Sequence, residues 1–353
     1  VPAIDAIFEE LVKRGGSDLH LAVNQPPLAR VRGDIVTLRD APVSAQELEA
    51  MLLELVTPAQ RARLAADLDL DLSVSYKDVA RFRASYYVKH SGIAAAFRLV
   101  PPRVPSLAEL GCPDVLRKLA DRRGGLVLVA GPASNGKTTT VAAMVDHINK
   151  TRGCHVVTLE HPLEFVHEPL RAQITQREIG VHVPTLATAL KNVSRENADV
   201  VVLSELASAD EIEQALGLAS DGMLVLATYP ASGVVTALDR LLAAFSVETQ
   251  ARIRGLLAEC LAGVVVQHLV RPSDSRTRMA VHEILIVTPA IASLLRQGKT
   301  SGLAEAMRGG GTSGMQTLDD ALERLLVAGK IAPQEAFERS IDKEAFARVV
   351  AQH

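Results

Sequence analysis

The 353-residue chain carries 38 Lys and Arg against 41 Asp and Glu, a formal net charge of -3, with 48% apolar residues, 3% aromatics and no Trp. That apolar share fills a sizeable core and excludes disorder, and the length points to two domains. A near-neutral chain with so few stacking side chains is not a dedicated nucleic-acid binder, so no nucleic acid is expected as a partner.

Cys112, Cys154 and Cys260 are scattered without a CxxC pair, which supports neither a disulfide framework nor a zinc site. Buried free thiols in a reducing compartment are expected. The opening Val-Pro-Ala-Ile-Asp has no basic segment followed by an apolar signal core. No apolar run approaches the ~20 residues needed to cross a bilayer. The reading is a cytoplasmic protein without direct membrane insertion, meeting the membrane through a partner.

Ile4 to Lys13 has helical apolar spacing and stops at Gly15-Gly16. Leu19 to Val23 and Ala29 to Val36 read as strands around the Pro26-Pro27 turn. Ser44 is the predicted N-cap of a helix through Glu54, with Glu47 closing a capping box. Asp69 to Ser75, Arg81 to Val88 and Ile93 to Leu99 alternate as strands. Residues 1–98 therefore read as a small mixed α/β domain.

Three prolines among Pro101-Pro102-Arg103-Val104-Pro105 favour a stiff, extended connector, so residues 99–106 are the predicted linker. Beyond it, Leu126 to Ala130, Val156 to Glu160, Val200 to Leu203 and Leu224 to Ala227 are apolar runs without alternation. Such runs suit strands buried on both faces of a helix-covered parallel sheet. Glycines at 309 to 311 mark a flexible turn, and from Gln316 onward the chain reads as helical with breaks near Gly329 and Pro333. Residues 107–353 form the second expected domain.

Gly131-Pro132-Ala133-Ser134-Asn135-Gly136-Lys137-Thr138 fits G-x-x-x-x-G-K-[ST], between a buried strand and a helical stretch that opens at Thr139. Glycines let the backbone wrap phosphate, and the helix N-terminus adds partial positive charge. Lys137 is expected to reach the β- and γ-phosphates of ATP, and the Thr138 hydroxyl to hold Mg²⁺. No Asn-Lys-x-Asp guanine-reading motif is present.

Downstream, Val200 to Glu205 reads as a strand ending in a carboxylate, and the earlier strand ends in Glu160-His161-Pro162-Leu163-Glu164. Either Glu164 or Glu160 could orient water at the γ-phosphate. Each Glu alone has an ordinary surface reading; two acidic strand ends following a phosphate loop in this order carry the functional one.

Several segments together resemble the type IV pilus retraction ATPases (the PilT and PilU kind) of the secretion-ATPase superfamily. They are Gly16-Ser17-Asp18-Leu19-His20, Arg81-Phe82-Arg83, Phe97-Arg98, the aspartate-box-like His155 to His167, and Gly314 to Asp319. The four-cysteine metal element of pilus-extension relatives has no counterpart. The resemblance implies an α/β protein with a PAS-like N-terminal domain, a RecA-like P-loop ATPase domain and a helical C-terminal tail.

It also implies a homo-hexamer at the inner-membrane base of a pilus, powering retraction and twitching motility. Its partners would be the pilus platform protein and a paralogous retraction ATPase. By the same carry-over Gly131, Ser134, Asn135, Gly136, Lys137, Thr138 and Thr139 hold nucleotide and Glu164 is the catalytic carboxylate. Glu205 is the second strand-end acid, and Arg81, Arg83 and Arg98 neutralise phosphate charge.

The departures are specific. The aspartate box has His161 for its Asp, Ala207 stands where an Arg is usual, and Met223 and Pro230 align with two usual histidines. The retraction motif is altered at Ala290 to Gln297. Two roles stay open beside a slow motor: an accessory ATP-responsive ring assisting an active paralogue, and a type II secretion ATPase.

Overall fold

A computed structural model describes residues 4–31, 34–77, 79–100, 103–274 and 278–351. The start at Val1-Pro2-Ala3 and the Pro101-Pro102 pair of the expected linker lie outside the described residues. The chain divides into two compact units. One is the chain up to Arg103 together with Pro162–Val166; the other is the remainder.

In the first unit the strands β1 (Gly16–Ala22), β2 (Leu28–Val31), β3 (Asp34–Thr37), β4 (Asp69–Tyr76), β5 (Ala80–Lys89) and β6 (Gly92–Val100) form an antiparallel sheet. Its order is β3-β2-β1-β6-β5-β4. The single strand expected over Ala29 to Val36 is instead a hairpin, Val31 pairing with Asp34. Both arms of the hairpin are strand-like in sequence, so the reading merged them into one strand.

β4 buries Leu70, Leu72, Val74 and Tyr76 and turns the intervening residues outward. Phe8 of the helix Asp5–Lys13 stacks on Phe82 at 4.2 Å and meets Phe97 edge-on at 5.1 Å, which anchors the helix to the sheet. The capping box expected at Ser44 is half formed. Ser44 accepts from the Glu47 amide at 3.2 Å, but the Glu47 carboxylate turns to Arg39 at 2.9 Å. A complete box, with Thr57 and Gln60, opens a helix over Pro58–Asp67 that periodicity did not reveal.

In the second unit β7 (Gly125–Ala130), β8 (His155–Glu160), β9 (Gln173–Glu178), β10 (Val200–Glu205), β11 (Leu224–Tyr229), β12 (Leu261–Val270) and β13 (Met279–Ile286) form one sheet. Its order is β13-β12-β7-β11-β10-β8-β9, parallel except for the antiparallel edge strand β13. Two apolar cores cover its faces, one including Leu126, Leu128 and Val201, the other Val127, Val129 and Val200. Opposite-face burial of adjacent residues is what produces runs without polar alternation.

The flexible turn expected at 309 to 311 is a short 3-10 turn, Gly311–Ser313, ending at Gly314 with φ 85°. Helices Leu318–Val327, Pro333–Arg339 and Lys343–Val350 follow. They bury Leu318, Leu322, Ala336 and Phe346 against Val270 and Val281, so the tail packs on the β12–β13 end of the sheet. Among the described residues no helix is long and apolar enough to cross a membrane, and Cys112, Cys154 and Cys260 are free thiols.

Candidate active site

The candidate phosphate site begins where the fully buried strand β7 ends. Gly131 donates its amide to Tyr229 O of β11 at 3.2 Å, which fixes where the loop leaves the sheet. The chain turns back through Ser134 at φ 60° and Gly136 at φ 78°. Gly136 is the N-cap of the helix Lys137–Thr151, and no side chain caps that helix. The left-handed backbone at 136 suits glycine. A Cβ there would meet Gln267 Nε2 at 2.9 Å, and one at Gly131 would meet Gln267 O at 2.5 Å.

First-turn amides without a side-chain acceptor, at the positive end of a four-turn helix, favour an anion. The donor set therefore fits a phosphate group. Lys137 is buried, and its Nζ donates to Gly131 O at 2.9 Å and Pro132 O at 3.2 Å. The same Nζ lies 3.6 Å from Glu205 Oε2. Thr138 and Thr139 are half-buried on the first turn and Ser134 is exposed. Asn135 accepts from the Leu269 amide through Oδ1 at 2.8 Å and donates to Ala133 O at 3.0 Å.

Glu205 ends β10 after a register irregularity between Leu203 and Glu205, so its side chain escapes the buried pattern of Val200 to Leu203 and is exposed. Glu160 ends β8, where its carboxylate accepts from Thr158 Oγ1 at 2.6 Å and Gln176 Nε2 at 3.2 Å. These two carboxylates and the phosphate loop share the second unit.

Glu164, Arg81, Arg83 and Arg98 all fall in the first unit. There Arg83 Nη1 donates to Glu164 Oε1 at 3.3 Å, and Ser73 Oγ donates to Leu163 O at 3.0 Å, holding the Glu164 segment to β4. Arg98 donates to Asp18 Oδ1 at 2.9 Å. Burial alone would raise the Asp18 carboxyl, but hydrogen bonds from Arg98 and Ser17 outweigh it and hold the carboxyl below its ordinary range. Arg81 lies on β5, paired in register with Ser75 and Val100.

The two positions where histidines are usual are not equivalent. Pro230 follows Tyr229, at the phosphate-loop end of β11. Met223 precedes Leu224, which pairs with Gly125 at the opposite end. At a rise of ~3.3 Å per residue the two are about 20 Å apart along the strand. Within this chain Met223 packs against the sheet's core, away from the phosphate loop. Pro230 O accepts from Arg240 Nη1 at 2.9 Å, which places a guanidinium beside the site.

Sequence reading missed buried polar groups on β12 and β13: Gln267, joined to Thr140 and His282 under the loop, and His268 and Glu283, which bond instead to Ser232 O and the Val234 amide. Polar residues inside the apolar run Val264 to Val270 were the signal, since a strand buried on both faces excludes unpaired polar groups. Burial pushes the His282 imidazole down to about 4, with nearby His268 adding to the effect. Glu283, raised by burial, accepts from the Val234 amide at 2.9 Å and so fixes the helix that follows Pro230.

A buried parallel strand feeding a glycine-wrapped helix end defines the P-loop class, here on a RecA-like sheet. Residues 1–302 match the model of the family described as "Type II/IV secretion system protein", and the chain belongs to that family. It is 36% identical over 334 residues to a "Type IV pilus retractation ATPase PilT" of Pseudomonas aeruginosa, covering 95% of this chain and 97% of that protein. It is 37% identical to a "Twitching motility protein" of Neisseria gonorrhoeae, covering 90% of this chain and 85% of that one. The fold superposes on the crystal structure of the pilus retraction motor PilT with bound ADP at a TM-score of 0.89, with 31% identity over 98% and 99% of the two chains.

Proposed function

We propose that this protein is an ATPase of the pilus retraction kind, binding Mg²⁺–ATP and hydrolysing it slowly. It works as a homo-hexamer that pulls on a pilus through an inner-membrane platform protein. The carrying observation is the phosphate loop: Gly131 and Gly136 wrapped against β12, Lys137 held over the loop, and Glu205 3.6 Å from its ammonium. Full-length similarity to PilT supports the choice of process.

Gly136, Lys137 and Thr139 would hold the phosphates, with Ser134 and Asn135 shaping the loop, and the Thr138 hydroxyl would hold Mg²⁺. When bound, ATP supplies a γ-phosphoryl group whose transfer to water drives a conformational cycle. Glu164 takes the base role, as the resemblance implies, with Glu160, which accepts from Thr158 and Gln176, as the alternative. Glu205 restrains Lys137. Arg81, Arg83 and Arg98 supply positive charge for the phosphates, as in the family the sequence resembles.

Slow turnover follows from Pro230 and Ala207. A proline side chain donates no hydrogen bond, and losing one preorganised donor to a transition state costs about a hundred- to thousandfold in rate. The same two residues favour a second reading, an accessory ring that binds ATP beside an active paralogue. Steady-state turnover measured with a nucleotide titration on the same oligomer tests both. Micromolar binding with slow hydrolysis supports the motor, and binding without hydrolysis supports the accessory ring. No binding at all overturns both.

A further inference from the structure

We propose that Gln267 of β12 is a positioning residue for the phosphate loop: its buried carboxamide is the template against which Gly131 to Gly136 take their wrapped shape. The proposal rests on the reading of that loop as the nucleotide site.

Gln267 is 3% exposed, and each end of its amide is engaged. Nε2 donates to Asn135 O at 2.7 Å, within the loop itself. Oε1 accepts from Thr140 Oγ1 at 2.6 Å, on the helix that follows the loop. It also pairs with His282 Nε2 at 3.0 Å on the neighbouring strand β13.

The orientation of the amide is dictated by chemistry. Asn135 O can only accept, so the NH₂ end must face it. The oxygen end then takes the Thr140 hydroxyl proton and the proton on His282 Nε2. A glutamate carboxylate in this place would set an oxygen against the Asn135 carbonyl, and an apolar residue would take this partner from Asn135 O, Thr140 Oγ1 and His282 Nε2.

Side-chain contact with Gly136 gives a second line, whereas the contact with Gly131 comes from the Gln267 main chain and does not depend on the amide. The space a side chain would need at Gly136 is filled by Gln267 Nε2, and that at Gly131 by Gln267 O. One residue thus touches the beginning and the end of the loop, and the next turn of the helix. Beyond it, His282 O accepts from Gln316 Nε2 at 2.7 Å, so the loop is tied through Gln267 and His282 to the segment that opens the C-terminal helices.

A loop already held in its binding shape loses less freedom when phosphate arrives, and that saving appears as affinity. Two variants separate this role from simple core filling. Gln267→Met keeps length and removes both ends of the amide. Gln267→Glu keeps the acceptor for Thr140 and His282 and, as a carboxylate, replaces the donor to Asn135 with a buried negative charge.

ADP affinity is measured by calorimetry, with amide exchange of the loop and of β8 and β10 recorded without nucleotide. Both variants are expected to bind ADP about tenfold more weakly, with faster exchange at 133–136 and unchanged protection in β8 and β10. Affinity within twofold of the parent in either folded variant overturns the proposal, as does exchange that rises equally throughout the unit. Should the Met variant not fold, the Glu variant alone decides between these outcomes. A parent protein that binds no ADP refutes instead the nucleotide-site reading.

Discussion

Lys137 Nζ and Glu205 Oε2 stand 3.6 Å apart, joining the start of the helix after β7 to the end of β10, with β11 between those strands. Lys137 is buried while Glu205 is half-exposed, so the pair is solvent-screened and adds little to stability. Lys137→Ala should accordingly change the unfolding midpoint little. It should weaken ATP binding ten- to hundredfold, the loss of a charge-assisted contact of about 1.5–3 kcal/mol. Calorimetric titration checks this, and unchanged affinity removes Lys137 from the site.

Glu164→Gln should abolish hydrolysis and leave ATP affinity unaltered, since the amide keeps the shape and loses the base. The ion pair with Arg83 is part-exposed, so folding should survive. Phosphate release by the variant at the parental rate would mean that another carboxylate, with Glu160 the first to test, activates water.

Restoring histidine at the two altered positions should have unequal effects. Pro230→His places a donor at the loop end of β11 and should raise turnover about tenfold or more. Met223→His lies about 20 Å away along the strand and should leave it unchanged. Equal gains from both would contradict the site as drawn within one chain.

Acid should destabilise the fold through its buried histidines. His282 and His167 are lowered by burial from 6.5 to about 4. A lowered imidazole means that the unfolded chain binds more protons, so the stability these groups contribute is complete above about 6.5 and is lost as pH falls toward 4. Glu283, raised by burial, acts in the opposite sense above 4.5 and offsets part of this loss. Urea midpoints should drop between pH 7 and pH 5, and His282→Gln should flatten the drop. A midpoint independent of pH across that window would show that the two imidazoles ionise as readily folded as unfolded.

Assembly is checked by mass in solution. With nucleotide and Mg²⁺ the protein should run as a hexamer, and a strictly monomeric species at tens of micromolar would count against the motor reading and for a different role of the loop.

The second sheet was legible in outline because strands buried on both faces must be apolar along their whole length, as Leu126 to Ala130 and Val200 to Leu203 are. The phosphate loop was legible too, because its glycines and Lys137 are adjacent in the chain and their chemistry is local. Local pattern failed where a long-range partner decided the outcome. Glu47 left its expected cap for Arg39, and Ala29 to Val36 folded back on itself as a hairpin.

Only the tertiary structure brought Gln267 under Asn135, 132 positions earlier in sequence, and carried Pro162–Val166 into the first unit beside Arg83. It also separated Met223 from Pro230 by the length of a strand. Sequence by itself determined which residues carry donors suited to phosphate, because that capacity belongs to their atoms. Which of them stand together depended on strand order and register, and those are settled by burial across the whole sheet.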